Sequence, residues 1–182
     1  MKQKSAGISD LPWSLPVLVA DIPETGRRFD LAADAGVRMA IAKSAGLLAL
    51  PRFEATFELT RHGRDGVRVE GHISATVEQS CGLTLEPVEG QVEEDVDLVY
   101  APSREPTPRD GSRDDHAQPS VLPETLHDGA VDLGAIATEF LILGIDPYPR
   151  KPGTAFHAPP TEENVASHPF AALAALKKGE QD

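Results

Sequence analysis

The sequence predicts an α+β fold: an antiparallel, strongly twisted sheet of about five strands, curled toward a partial barrel and flanked by two helices. Three observations predict it. Small or apolar residues alternate with polar ones from Val67 to Cys81 and again from Val88 to Tyr100. Apolar residues recur at helical spacing after Asp34, and again after Asp132. Alternation places successive side chains on opposite faces of a strand, whereas spacing of three and four residues makes one stripe on a helix.

In chain order, residues 1–10 form a flexible N-terminus and residues 11–150 the α+β domain. Trp13–Ala20 reads as a first strand, with Pro12 and Pro16 marking it as an edge. Gly26–Leu31 is a second, short strand. Val37, Ala40, Ile41, Ser44 and Leu48 then fall at helical spacing, with Asp34 as N-cap and Gly46 as the stop. Phe53, Ala55, Phe57 and Leu59 are the inward face of the next strand. The glycine-containing turn His62–Gly66 returns the chain into the strand that ends at Cys81.

A second turn, holding Gly82 and Pro87, leads into the strand that ends at Tyr100. Together these runs predict a meander of three long strands, which the two N-terminal strands extend to five. Residues 101–120 combine prolines with charges and almost no apolar side chains, and are predicted to be a disordered loop. Asp132 caps a second helix whose Leu133, Ile136, Ala137, Phe140 and Leu141 share a stripe, and Gly144 ends it. Residues 151–182 read as an extended tail that closes with a short helix from Pro169.

Composition bounds the function. A chain of 182 residues suits one domain. Its formal net charge of −12 disfavours tight binding to bare nucleic acid, DNA included, because such binding is driven by Lys and Arg displacing phosphate counterions. No apolar run reaches the roughly 20 residues of a membrane helix, and residues 1–12 lack the apolar core of a signal peptide. The expected location is the cytoplasm. One cysteine, Cys81, and six histidines without ligand spacing lead us to expect neither a metal nor another cofactor.

Chemistry-bearing candidates are few. Cys81 lies on an apolar strand face with no base or cation beside it in sequence, so a structural thiol is expected rather than a nucleophile. Glu89, Glu93, Asp95 and Asp97 alternate along one strand face as a ladder of like charge, suited to a basic protein. Arg61, Arg64 and Arg68 around the first hairpin, with Arg150 and Lys151, are candidate RNA contacts. They lack the interleaved aromatics of a base-stacking platform.

Val69–Gly71, the run Cys81-Gly82-Leu83-Thr84-Leu85-Glu86-Pro87, the acidic strand to Tyr100, and Val131-Asp132-Leu133-Gly134 leading to Asp146–Arg150 together resemble the YceD-like family of large ribosomal RNA accumulation proteins. His168–Leu173 is similar to the ending of proteobacterial members. Cys81, Leu85, Glu86, Pro87, Asp132, Leu133, Gly134 and Pro147 carry the motif. Many relatives show Cys-x-x-Cys, but here Thr84 takes the second position, so a metal or redox role for that pair does not transfer. The resemblance implies a non-enzymatic role in accumulation or maturation of large-subunit (23S) ribosomal RNA in bacteria. The expected partner is a basic ribosomal protein or an assembly intermediate. Two other readings stay open: an acidic adaptor with no ribosomal role, and a small hydrolase that uses Cys81 with a histidine.

Overall fold

The computed structural model describes residues 12–102, 123–126 and 128–155. The expectations for residues 1–10, for 103–120 and for the terminal helix lie outside the described residues. The elements are β1 (Pro16–Leu18), β2 (Arg27–Ala32), α1 (Ala35–Ala45), β3 (Ala49–His62), β4 (Gly66–Ser80), β5 (Pro87–Pro102), β6 (Glu124–Leu126), β7 (Ala130–Asp132) and α2 (Leu133–Gly144). They belong to a compact unit that ends at Pro152; a second unit begins at Gly153, and only residues 153–155 of it are described.

The fold is α+β, with a mixed five-stranded sheet in the order β2-β3-β4-β5-β6 and a separate antiparallel pair, β1 with β7. The three long strands form the expected meander. His62 pairs with Gly66 at one turn and Ser80 with Pro87 at the other. The sheet does not close into a barrel.

Two expectations about the sheet need correction. β1 does not join the large sheet; its three residues pair instead with β7, Val17 opposite Val131. A three-residue strand beside prolines offers too short a ladder for the large sheet, and the chain entering α2 provides the partner. The fifth strand is β6, which runs parallel to the end of β5, Tyr100 opposite Glu124. Ala101 and Pro102 therefore belong to β5 and not to the loop predicted from residue 101.

The sheet has one dry face and one wet face, as the alternation requires. Phe53, Phe57 and Leu59 of β3 and Val67, Val69, Ile73 and Val77 of β4 are buried. The intervening residues face water, so a slip of one residue in register would exchange the two sets. Trp13, partly buried, packs edge-on against Phe53 with ring centroids 5.0 Å apart.

The helices form as expected at their starts. The Asp34 carboxylate accepts from the Val37 N–H at 2.8 Å, and Gly46 ends α1 in the left-handed conformation at φ 70°. The buried stripe of α1 is Ile41 and Ala42 with half-buried Val37 and Ala45, whereas Ala40, Ser44 and Leu48 of the predicted stripe are exposed. In α2 the predicted stripe is buried or half-buried, and Gly144 is its last helical residue, with Ile145 as C-cap. A Cβ on Gly144 would lie 2.6 Å from Val92 Cγ1, which places the end of α2 directly on β5. Among the described residues no helix is long and apolar enough to cross a membrane.

Gly71, in the middle of β4, lies opposite Phe57. A Cβ there would stand 2.5 Å from both the Phe57 ring and the Thr56 carbonyl oxygen. The ring is fully buried and the carbonyl belongs to the ladder, so neither yields easily. Gly71→Ala is expected to destabilise the fold by about 1–3 kcal/mol, read as a lower urea midpoint with an unchanged slope; an unaltered midpoint would contradict this packing.

Candidate partner-binding site

Family-motif residues from two distant parts of the chain meet at the turn after β4. Cys81 N–H donates to the Glu86 carbonyl at 2.8 Å and Leu85 N–H to the Cys81 carbonyl at 3.0 Å, which closes the turn. Leu85 adopts φ 60°, unusual for a side chain of its type. The segment following α2 then lies along this turn. Gly82 N–H donates to the Pro149 carbonyl at 2.8 Å, Lys151 Nζ binds Glu86 Oε2 at 2.9 Å, and Gln79 Nε2 donates to the Asp146 carbonyl at 2.8 Å. Lys151 holds the Glu86 carboxyl below the usual range.

Cys81 sits at the centre of this junction, sealed from solvent. Lys151 N–H points at its sulfur at 3.4 Å. The Thr84 hydroxyl, together with the backbone N–H groups of Lys151, Thr84 and Leu83, pulls the thiol down to about 6. The cause is donors aimed at the sulfur rather than a neighbouring cation or base. Thr84 is the foremost of these donors.

Asp132 joins the other half of the motif. One oxygen of its carboxylate accepts from Leu15 N–H at 2.7 Å and from Ala135 N–H at 3.0 Å; the other accepts from the Ser14 hydroxyl. Leu133 N–H donates to the Leu15 carbonyl at 3.0 Å. The N-terminal segment passes so close that a Cβ on Gly134 would lie 2.8 Å from the Trp13 carbonyl oxygen. Leu133 and Gly134 are buried there, while Leu85, Pro87 and Pro147 are exposed.

The wet face of the sheet is densely charged. On β5 it carries Glu89, Glu93, Asp95 and Asp97, as expected; Glu70 and Glu78 join them from β4. Glu54 and Glu58 of β3 and Asp30 of β2 complete a field of nine carboxylates on strands β2 to β5, against three guanidiniums, Arg28, Arg52 and Arg68. Each guanidinium is already committed. Arg28 pairs with Asp30 at 2.9 Å, Arg52 with Glu54 at 3.1 Å, and Arg68 with Asp97 through two bonds of 2.8 and 2.9 Å.

At the centre of the field, His72 bridges two members of the predicted ladder. Its Nδ1 lies 2.8 Å from Asp95 and its Nε2 2.8 Å from Glu93. Ser74 donates to Glu93 at 2.7 Å, and Arg52 donates to Ser74 at 2.7 Å. The bonds to Asp95 and then Glu93 raise the His72 pKa, while Ser74 and then His72 lower that of Glu93. His72 did not stand out in the sequence, because the register that sets it opposite Asp95 follows only from Ser80 pairing with Pro87.

The predicted RNA contacts do not form one patch. Arg61 donates to the carbonyls of Ile22 and Ala20, Arg68 is held by Asp97 and Glu70, and Lys151 by Glu86. Arg64 and Arg150 are exposed and make no ion pair among the described residues.

Residues 69–177 match the family described as large ribosomal RNA subunit accumulation protein YceD, a span of more than half the chain. The chain belongs to this family. No curated protein and no solved structure matches it. Membership of the YceD family ties the chain to accumulation of large-subunit ribosomal RNA. The matched region contains β5, the Cys81 junction and α2, and therefore most of what holds the acidic face in place.

Two titrations test this electrostatic description. Because its folded pKa is raised, the stability lent by His72 is complete below about pH 6.5 and is lost as pH rises through the raised value. NMR titration of the His72 ring should give a midpoint above about 6.5 that falls in Asp95→Asn and in Glu93→Gln; an ordinary midpoint would contradict the bridge. For Cys81 the sign is opposite: its stabilisation is complete above the ordinary thiol pKa and lost as pH falls through about 6. Thiolate absorbance at 240 nm should appear near pH 6 in the native chain, move upward in Thr84→Val, and be absent in Cys81→Ser.

Proposed function

We propose that this YceD-family chain is a non-enzymatic factor that supports accumulation of 23S ribosomal RNA by holding a basic ribosomal protein, or an assembly intermediate that displays one, on the wet face of its sheet. The observation that carries the reading is the field of nine carboxylates against three committed guanidiniums. A surface of one dominant sign speeds encounter with the opposite charge and repels its own, so it favours Lys- and Arg-rich proteins over phosphate backbones.

The arrangement of the arginines supports the same direction. Arg61, Arg68 and Lys151 engage groups of this chain, and Arg64 and Arg150 remain for an RNA contact of secondary weight. Ribosomal RNA would then be protected indirectly, through a protein delivered or retained on it. The buried setting of Cys81 agrees with a structural thiol at the junction of β4, β5 and the segment after α2.

Sedimentation of lysates through sucrose gradients tests this reading. The chain should comigrate with precursors of the large subunit, and depletion should lower 23S RNA relative to 16S. A variant with Glu89→Lys, Glu93→Lys and Asp97→Lys should move to the top of the gradient while remaining folded by circular dichroism. Unchanged comigration of that variant, or 23S levels indifferent to depletion, would refute it.

A further inference from the structure

The edge of the large sheet specifies how such a partner is held, and this inference rests on the reading above. β5 pairs with β4 in unbroken register from Val67 opposite Tyr100 to Ser80 opposite Pro87. On its other side only Tyr100, Ala101 and Pro102 are paired, with β6. In an antiparallel ladder every second residue turns both its N–H and its C=O away from the neighbouring strand. From Pro87 to Val99 those outward groups make no backbone bond to another element among the described residues.

Among the described residues this edge is open over that length, which is uncommon because an open edge invites pairing with any extended chain. Proteins usually shorten such an edge, bulge it, place proline or lysine along it, or cover it. Here the ladder has no register shift, and proline stands only at the ends, Pro87 and Pro102. Among the described residues the remaining protection is charge of one sign: Glu89, Glu93, Asp95 and Asp97 toward the wet face, and Glu94 toward the layer of α2. That protection is selective. It repels a second copy of this edge and any acidic strand, and it leaves a basic strand free to approach.

We propose that the Pro87–Val99 edge of β5 receives an extended basic segment of a partner protein as an added strand. Its N–H and C=O groups complete the ladder. Its alternate Lys or Arg side chains lie beside the carboxylates of the wet face. Its intervening side chains lie in the layer of α2, whose last turn exposes Ile142 and Leu143 just before Gly144 meets Val92 and Glu94. An RNA strand cannot complete a peptide ladder, and its phosphates would face like charge.

Hydrogen–deuterium exchange on the full 182-residue chain tests this without any ribosome, so its failure is distinguishable from failure of the gradient experiment. The probe is a capped twelve-residue peptide alternating Lys and Val. The controls are the same peptide N-methylated at every residue, which keeps the charge and loses the donors, an alternating Glu and Val peptide, and a twelve-nucleotide oligouridine. The Lys–Val peptide should slow exchange in residues 88–99 at least tenfold, and the three controls should not. No protection by the Lys–Val peptide, equal protection by the N-methylated peptide, or protection of the same amides by oligouridine would overturn the proposal.

Discussion

The alternation along β4 is the constraint on which the rest of the structure depends. β4 is the central strand of the meander, paired over nearly its whole length on both sides. Its odd residues from Val67 to Val77 are buried except for half-buried Gly71, and its even residues carry Arg68, Glu70, His72 and Ser74 into water. Since the side-chain period is two, a slip of one residue would turn the apolar set into water and bury the polar one. The acidic ladder of β5 thereby has Asp95 opposite His72 and Asp97 within reach of Arg68, and the apolar face of β5 lies beneath α2.

Two small polar centres then tie the remaining chain to this sheet. Asp132 gathers Ser14, Leu15 and Ala135 around one carboxylate, so the N-terminal segment and the start of α2 are held as one piece. Cys81 does the same at the other end, where Gly82 N–H donates to the Pro149 carbonyl and the Cys81 sulfur accepts from Lys151 N–H in the segment that follows α2. The motif residues Cys81, Glu86, Asp132 and Gly134 have structural tasks that leave the sheet face available for binding. This division is consistent with a protein whose working surface is broad and charged rather than a cleft lined by reactive groups.

Much of this was legible in the residues, and what was not has a physical reason. The three long strands and both N-caps follow from period and from Asp34 and Asp132. β6 and β7 were missed because three residues are too few to display a period. Trp13–Ala20 misled because a proline-flanked apolar run records that a strand forms but not which strand it joins. The site was half legible: alternation placed Glu89, Glu93, Asp95 and Asp97 together, while the commitment of Arg61 to the Ile22 carbonyl and of Lys151 to Glu86 depends on contacts 39 and 65 residues apart in sequence. The thiol of Cys81 was the most deceptive, since its donors are mostly backbone amides, which leave no mark on composition.

The measurement that tests the central claim most directly is site-specific photocrosslinking in cells, from a benzoylphenylalanine placed at Gln91 on the wet face of β5, with a second placed at Met39 on α1 as reference. The account predicts that position 91 captures a Lys- and Arg-rich protein of the large ribosomal subunit and that position 39 does not. Crosslinks from position 91 to ribosomal RNA, or the same products from both positions, would contradict it.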